Sequence, residues 1–386
     1  MKNDFLLFHR PFISEDEVDE IVDTVRSGWL SMGPKTIRFE NEFSKYLGVN
    51  KSVAVSSWTA AGHLTLEAFG IKAGDEVIVP TMTFPATAEI VCYFGAKPVI
   101  VDVEESTLNI SLEQIEKAIT PKTKAIIPVH YAGQPCDLDE IQALADKHNL
   151  KVLEDAAHAL PATYKGKKIG TISDVTCFSF YATKTLSTGE GGMICSNDEE
   201  LAERCVIMRM HGINRDAWKR YTDSGSWYYE VVAPGFKYNF TDLQASLGLP
   251  QLKKVDQMWA SRQKIAAKYT EALKDLDTIE LHTVKPDRES SWHLFPIRLH
   301  LDRLSKNRAQ IIKHLRENNI GVGVHFMPVH QHLYYSETFN LSDDDYPVAS
   351  SIFPRLMSLP IYPGMTDKNV DKVIDILLDT LKKFKK

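Results

Sequence analysis

The sequence predicts an α/β protein: a large domain built on a mostly parallel seven-stranded sheet, followed by a smaller α+β domain. Three observations predict it. Seven short apolar runs rich in β-formers recur through the first two thirds of the 386-residue chain. Helical patterns separate most of them, and continuous apolar strands alternating with amphipathic helices mean a parallel sheet covered on both faces. From Gln251 the texture shifts to a long charged helix and mixed elements, which places the domains at 1–250 and 251–386.

Taken in order, helix patterns at 15–26 and 37–46 flank a Gly/Ser/Pro loop and precede the first strand. The expected strands are 52–56, 76–80, 98–102, 124–129, 151–155, 175–180 and 192–196. Helices are expected at 59–69, 86–94, 111–119 and 138–148. The second domain is expected to hold a helix over 252–276, strands near 292–299 and 322–326, and helices at 308–318 and 368–384. There is no internal repeat and no low-complexity linker, so the two domains are expected to pack tightly.

Composition bounds the function. A content of 44% hydrophobic and 25% charged residues is ordinary for a globular protein. The net charge of −6 comes from mixed acids and bases, with no basic block beyond the 382–386 tail, which argues against nucleic acid as a partner. An anionic substrate would therefore need local donors. The five cysteines are scattered, never spaced CxxC, and read as reduced core residues. The start is too charged for a signal peptide, and no segment approaches the roughly 18 apolar residues of a membrane helix. The expected compartment is the cytoplasm.

Some motifs are set aside. Residues 28–36 carry the glycines of a P-loop, but Pro34 separates Gly33 from Lys35 and a helix precedes them. Residues 189–192 are not GxGxxG, so a nicotinamide site lacks its fingerprint. His325, His330 and His332 straddle Pro328 with no completing ligand, which disfavours a metal.

Three segments fall at the carboxyl ends of expected strands, where open α/β sheets place ligands. Ser56 to Ala61 runs from a strand into a helix; its free N–H groups suit a phosphate, although taken alone an ordinary N-cap explains it better. Glu154 and Asp155 close an otherwise apolar strand. A buried carboxylate there needs a cationic partner. A protonated pyridine nitrogen is one such partner, a helix cap the alternative. Lys184 stands just past a buried strand and before a glycine-rich turn, an odd place for a solvated charge. Desolvation lowers an amine's pKa and makes it a nucleophile toward an aldehyde.

Together these segments resemble the DegT/StrS family of PLP-dependent nucleotide-sugar aminotransferases. The likeness covers nearly the whole chain, through Gly28-Trp29-Leu30, Gly74 to Pro80, Thr83-Phe84, residues 119–126, Gly133-Gln134-Pro135, Glu154 to Ala157, the Lys184 segment, Lys237-Tyr238-Asn239 and residues 325–330. It implies the aspartate-aminotransferase fold and a homodimer with active sites at the interface. It implies pyridoxal 5′-phosphate (PLP) as cofactor, with Lys184 as the Schiff-base lysine and Asp155 as the partner of the ring nitrogen. Thr59, Ala60 and Ser179 match phosphate ligands, Phe84 the ring-stacking aromatic, and Asn239 a residue reaching the neighbouring subunit's phosphate. His158 stands where many members carry Gln, near the ring hydroxyl. Trp58 departs from the glycine common there, and Gly62 makes room for it.

The implied reaction moves an amino group from glutamate to a nucleotide sugar. Arg215 and Lys219 offer cations for the diphosphate, and His325 and His330 contacts for the sugar. The 211–242 segment looks more like members that aminate C4 than C3. A sugar 3-dehydratase of the same fold carries histidine in place of the lysine, so Lys184 speaks against it. The intact set of Asp155, Lys184 and Ser179 speaks against a regulatory protein without turnover.

Overall fold

The computed structural model describes residues 5–214 and 229–386. Its large sheet has seven strands: β1 (Lys51–Val55), β2 (Glu76–Pro80), β3 (Lys97–Val101), β4 (Thr123–Ile126), β5 (Lys151–Asp155), β8 (Val175–Ser179) and β9 (Gly192–Ser196). The short strands β6 (Thr163–Tyr164) and β7 (Lys167–Lys168) form a hairpin outside it. The spatial order is β1-β9-β8-β5-β4-β2-β3. Every neighbouring pair is parallel except those of β9, which runs antiparallel to both β1 and β8. All strands but β9 therefore point their carboxyl ends toward one rim.

Alternation along each strand splits the core. Val53, Val55, Val77, Val79, Leu153 and Cys177 face one apolar layer. Ala54, Ile78, Val152 and Phe178 face the other. The helices α1 (Glu15–Ser27), α2 (Pro34–Leu47), α3 (Trp58–Ala68), α4 (Ala86–Cys92), α5 (Leu112–Ala118), α6 (Leu138–His148) and α7 (Glu199–Met208) accompany the sheet. The first turn of α2 is tied down by Asp242, which accepts the N–H groups of Gly33, Lys35 and Thr36.

Helix α8 runs over Asp242–Leu273, starting ten residues before the expected position. Its capping box, Thr241 with Gln244, marks the start, and the helix carries Pro250 inside it. The division expected at residue 250 falls within this helix, whose first half packs on the sheet through Ala245, Leu249, Leu252 and Val255. A third apolar cluster gathers Leu6, the second half of α8, and residues from 279 to 381. It covers a small antiparallel sheet, β10 (Ile279–Leu281), β12 (Phe295–Leu299) and β13 (Leu356–Leu359), while β11 (Arg288–Glu289) joins β6. Helices α9 (Arg308–Glu317), α10 (Leu333–Phe339), α11 (Pro347–Ile352) and α12 (Asp367–Phe384) complete the chain.

One expected strand is absent. Residues 322–326 make a single bridge, Gly323 to Ser358, and then leave the sheet, because His325 and Phe326 turn to a cavity instead. Among the described residues no helix is long and apolar enough to cross a membrane.

Candidate active site

The rim formed by the carboxyl ends of β1, β2, β5 and β8 opens on a cavity of about 540 Å³. It is lined by Ser57, Trp58 and Thr59 after β1, Thr83 and Phe84 after β2, Asp155 and His158 after β5, and Ser179, Thr183 and Lys184 after β8. The three segments singled out in the sequence thus converge.

The first supplies an anion site. The opening N–H groups of a helix lack intrahelical partners, and α3 aims its positive end at the cavity. Ser57 caps it, accepting the Ala60 N–H at 3.0 Å. Ala60 is itself buried and does not line the cavity, so Trp58 and Thr59 are the groups facing it. Trp58 is buried, with its indole N–H donating to the Cys177 carbonyl at 3.1 Å. A Cβ on Gly62 would lie 2.6 Å from the Ile90 side chain but at an ordinary contact distance, 3.4 Å, from the Trp58 ring, so the space at Gly62 serves Ile90 rather than Trp58. Gly192 closes the cradle from β9. A Cβ on it would stand 2.5 Å from the Ser57 carbonyl oxygen and 2.9 Å from the Trp58 nitrogen, both backbone atoms.

The second supplies the carboxylate. Asp155 and Glu154 lie on opposite faces of β5 and both are buried. Glu154 is satisfied on the far side by His130 Nε2 at 2.8 Å, the Ser173 N–H and the Thr176 hydroxyl. Among the described residues the Asp155 carboxylate accepts only the Ala157 N–H and the Thr87 hydroxyl, and burial pushes its pKa up to about 6. Among the described residues it forms no ion pair.

The third supplies the amine. Lys184 sits in a turn closed by its own N–H to the Tyr181 carbonyl, at 2.9 Å. Burial of the ammonium drives its pKa down to about 8, with Asp155 opposing the shift. The Ser179 hydroxyl accepts the Tyr181 N–H at 3.3 Å, which leaves its own proton free to donate into the cavity.

Phe84 is 60% exposed, lines the cavity and meets Phe326 edge-on at 6.0 Å. His158 is buried between His293 (ring centroids 4.4 Å apart) and Phe326 (5.7 Å), and its Nδ1 has no hydrogen-bond partner. His325 lines the cavity, with Nδ1 3.0 Å from the Ser358 hydroxyl. His330 does not reach it. Its ring is stacked on Tyr346, and its nitrogens are engaged by Thr81 at 2.6 Å and by Asp343 and Ser350 at 3.1 Å. Asn239 bridges to Val55 at the edge of β1, outside the cavity lining. Arg215 and Lys219 lie outside the described residues. Phe8, His9 and His293 line the cavity without having been singled out, and Phe326 does so from the 325–330 motif. The first three come from segments that no local motif ties to the strand ends.

One rim therefore brings together an anion cradle, a buried carboxylate and a partly neutral amine. A family model described as the DegT/DnrJ/EryC1/StrS aminotransferase family matches residues 11–378. The chain belongs to this family. Spore coat polysaccharide biosynthesis protein SpsC of Bacillus subtilis is 47% identical over 382 residues, covering 99% of this chain and 98% of SpsC. The PLP form of Spr1654 from Streptococcus pneumoniae superposes with a TM-score of 0.92 at 34% identity, covering 98% of this chain and 99% of that one. PseC of Helicobacter pylori, an aminotransferase involved in the biosynthesis of pseudoaminic acid, gives a TM-score of 0.91 at 29% identity, covering 99% and 100%.

The DegT/DnrJ/EryC1/StrS members are aminotransferases of PLP-dependent fold type I, and this chain is one of them. The residues present fit the cofactor. The cradle leaves no room for a Cβ at Gly192, Asp155 is a buried acid lacking a cation, and His158 carries an unpartnered buried nitrogen beside it.

Proposed function

We propose that this aminotransferase moves the amino group of glutamate onto a keto-sugar nucleotide, at C4 of a 4-keto-6-deoxy ring. The observation that carries the reading is the placement of Lys184, held partly neutral, in one cavity with Asp155 and the α3 N-terminus. The names of SpsC and PseC support a sugar acceptor, since both belong to carbohydrate biosynthesis.

When bound, PLP supplies an electron sink for the negative charge that develops on the donor's α-carbon. The remaining work falls to this chain. The α3 N-terminus with Thr59 and Ser179 holds the phosphate, and Ala60 contributes through the cap that fixes the helix start. Asp155 keeps a proton on the ring nitrogen. Phe84 would cover the ring and His158 would serve its hydroxyl. Lys184 would hold the cofactor through its amine. With the donor in place, the Lys184 amine would move a proton from the donor α-carbon to the cofactor, and in the second half-reaction would take a proton back from the cofactor and give it to the sugar carbon. Its pKa of about 8 leaves a useful neutral fraction near neutral pH. His325 faces the sugar, while Arg215 and Lys219 serve the diphosphate. Asn239 reaches the neighbouring subunit's phosphate in a homodimer.

The test is an assay with glutamate against a panel of 3-keto and 4-keto nucleotide sugars. One 2-oxoglutarate per amino sugar formed, with preference for a 4-keto acceptor, is the expected result. Absence of amino sugar with every acceptor overturns it.

A further inference from the structure

Asp155 is held by hydroxyl and amide groups rather than by a cation. Its Oδ1 accepts the Ala157 N–H at 3.0 Å and its Oδ2 accepts the Thr87 hydroxyl at 2.9 Å. Thr87 Oγ1 lies 2.7 Å from Thr83 Oγ1. Thr87 has a single hydroxyl proton and gives it to the carboxylate, so Thr83 must donate to Thr87. All three side chains are buried, Thr83 and Thr87 at 1% exposure and Asp155 at 4%, and all three line the cavity. Thr87 stands in the first turn of α4, and Thr83 immediately precedes Phe84. The charged or titratable groups that face Asp155 from other elements are Lys184 after β8, His130 after β4 and the Cys177 thiol on β8. Among the described residues none of their side chains makes a hydrogen bond to its carboxylate, although the His130 N–H donates to the Asp155 backbone carbonyl at 3.1 Å.

We infer that Thr87, backed by Thr83, is a positioning residue that keeps Asp155 ionised and turned toward the ring nitrogen of the cofactor. The inference rests on the assignment of Asp155 to that nitrogen. A hydrogen bond donated to a carboxylate favours its charged form, and burial favours the neutral form. With a methyl group in place of the Thr87 hydroxyl, Oδ2 has no partner and burial acts unopposed on that oxygen. A neutral Asp155 cannot keep the ring nitrogen protonated. The Thr83 to Thr87 to Asp155 chain also fixes the residue beside Phe84, so one row of hydroxyls sets both the acid and the root of the segment that covers the ring.

The test uses the holoenzyme in four variants: Thr87→Val, Thr87→Ser, Thr83→Val and Asp155→Asn. Cofactor affinity is measured by equilibrium dialysis, and the glutamate half-reaction by visible absorption across pH. Thr87→Val is expected to lose cofactor affinity about tenfold and to shift the acidic limb of the rate profile up by about one pH unit. Thr87→Ser, which keeps the hydroxyl, should stay within about threefold of the parent, and Thr83→Val should fall between. A Thr87→Val protein with parental affinity and an unmoved acidic limb overturns the inference. If that variant does not fold, an unmoved limb in Thr83→Val overturns it equally. An unimpaired Asp155→Asn protein overturns the Asp155 assignment itself. An impaired Asp155→Asn beside an unimpaired Thr87→Val overturns the role of Thr87 alone.

Discussion

Lys184 and Asp155 share one cavity, and burial works against the charge on each. It lowers the ammonium to about 8 and raises the carboxyl to about 6. For Asp155 the linkage sign is unusual for an acid. Its folded pKa lies above the ordinary 3.8, so it costs nothing below that pH, and the cost grows as pH rises through 6. Asp155→Asn should therefore stabilise the cofactor-free protein at pH 8 by up to about 3 kcal/mol, with the gain gone near pH 4. Urea unfolding at the two pH values checks this. The same substitution should lose transamination, so stability and activity move in opposite directions. Lys184→Ala should slow both half-reactions by at least about 10²–10⁴-fold, the contribution of a positioned proton-transfer group, in single-turnover absorption measurements. These two residues were legible in the sequence because a charge at the end of an apolar strand is out of place. Phe8, His9 and His293 were not, because a side chain distant in sequence from the strand ends has no local signature of the cavity it will line. His330 stood in the same motif as His325, yet its ring is committed to Thr81, Asp343 and Ser350.

At the scale of elements, four of the seven main strands were displaced by a residue or more at an end, and none was missed. Continuous apolar runs in a sheet covered on both faces leave little ambiguity. The segment 322–326 has the same apolar texture and is no strand. Its residues satisfy a cavity wall, which no alternation pattern reveals. The start of α8 was legible in Thr241 and Gln244, but Pro250 concealed it. A proline inside a helix removes one hydrogen bond and usually marks an end. The glycines after Lys184 carry an element-level prediction. Gly192 lets β9 approach the start of α3 so closely that Gly192→Ala must push backbone against backbone. Overpacking of this kind costs about 1–3 kcal/mol. The strain falls on the phosphate cradle, so the variant should also bind PLP about tenfold or more weakly, measured by dialysis against the parent.

At the scale of the whole molecule, exposed apolar side chains line the cavity: Phe84 is 60% and Tyr181 47% exposed. In the homodimer of the proposed function a second subunit would cover them. Sedimentation at twice the 43.6 kDa chain mass is the expected outcome. If Asn239 reaches the partner's phosphate, Lys184→Ala and Asn239→Ala subunits co-expressed should form mixed dimers with activity that neither variant has alone. Fold class and reaction class were both visible in the sequence, carried by the order of strand-end motifs. The acceptor sugar was not, because no strand-end motif of this chain specifies it.

The most direct measurement is borohydride reduction of the purified holoenzyme followed by peptide mass mapping. The expected result is loss of the visible absorption and a phosphopyridoxyl mass on the peptide that contains Lys184. A cofactor-bearing protein whose label falls on another residue, or that takes no label, would contradict the assignment of Lys184.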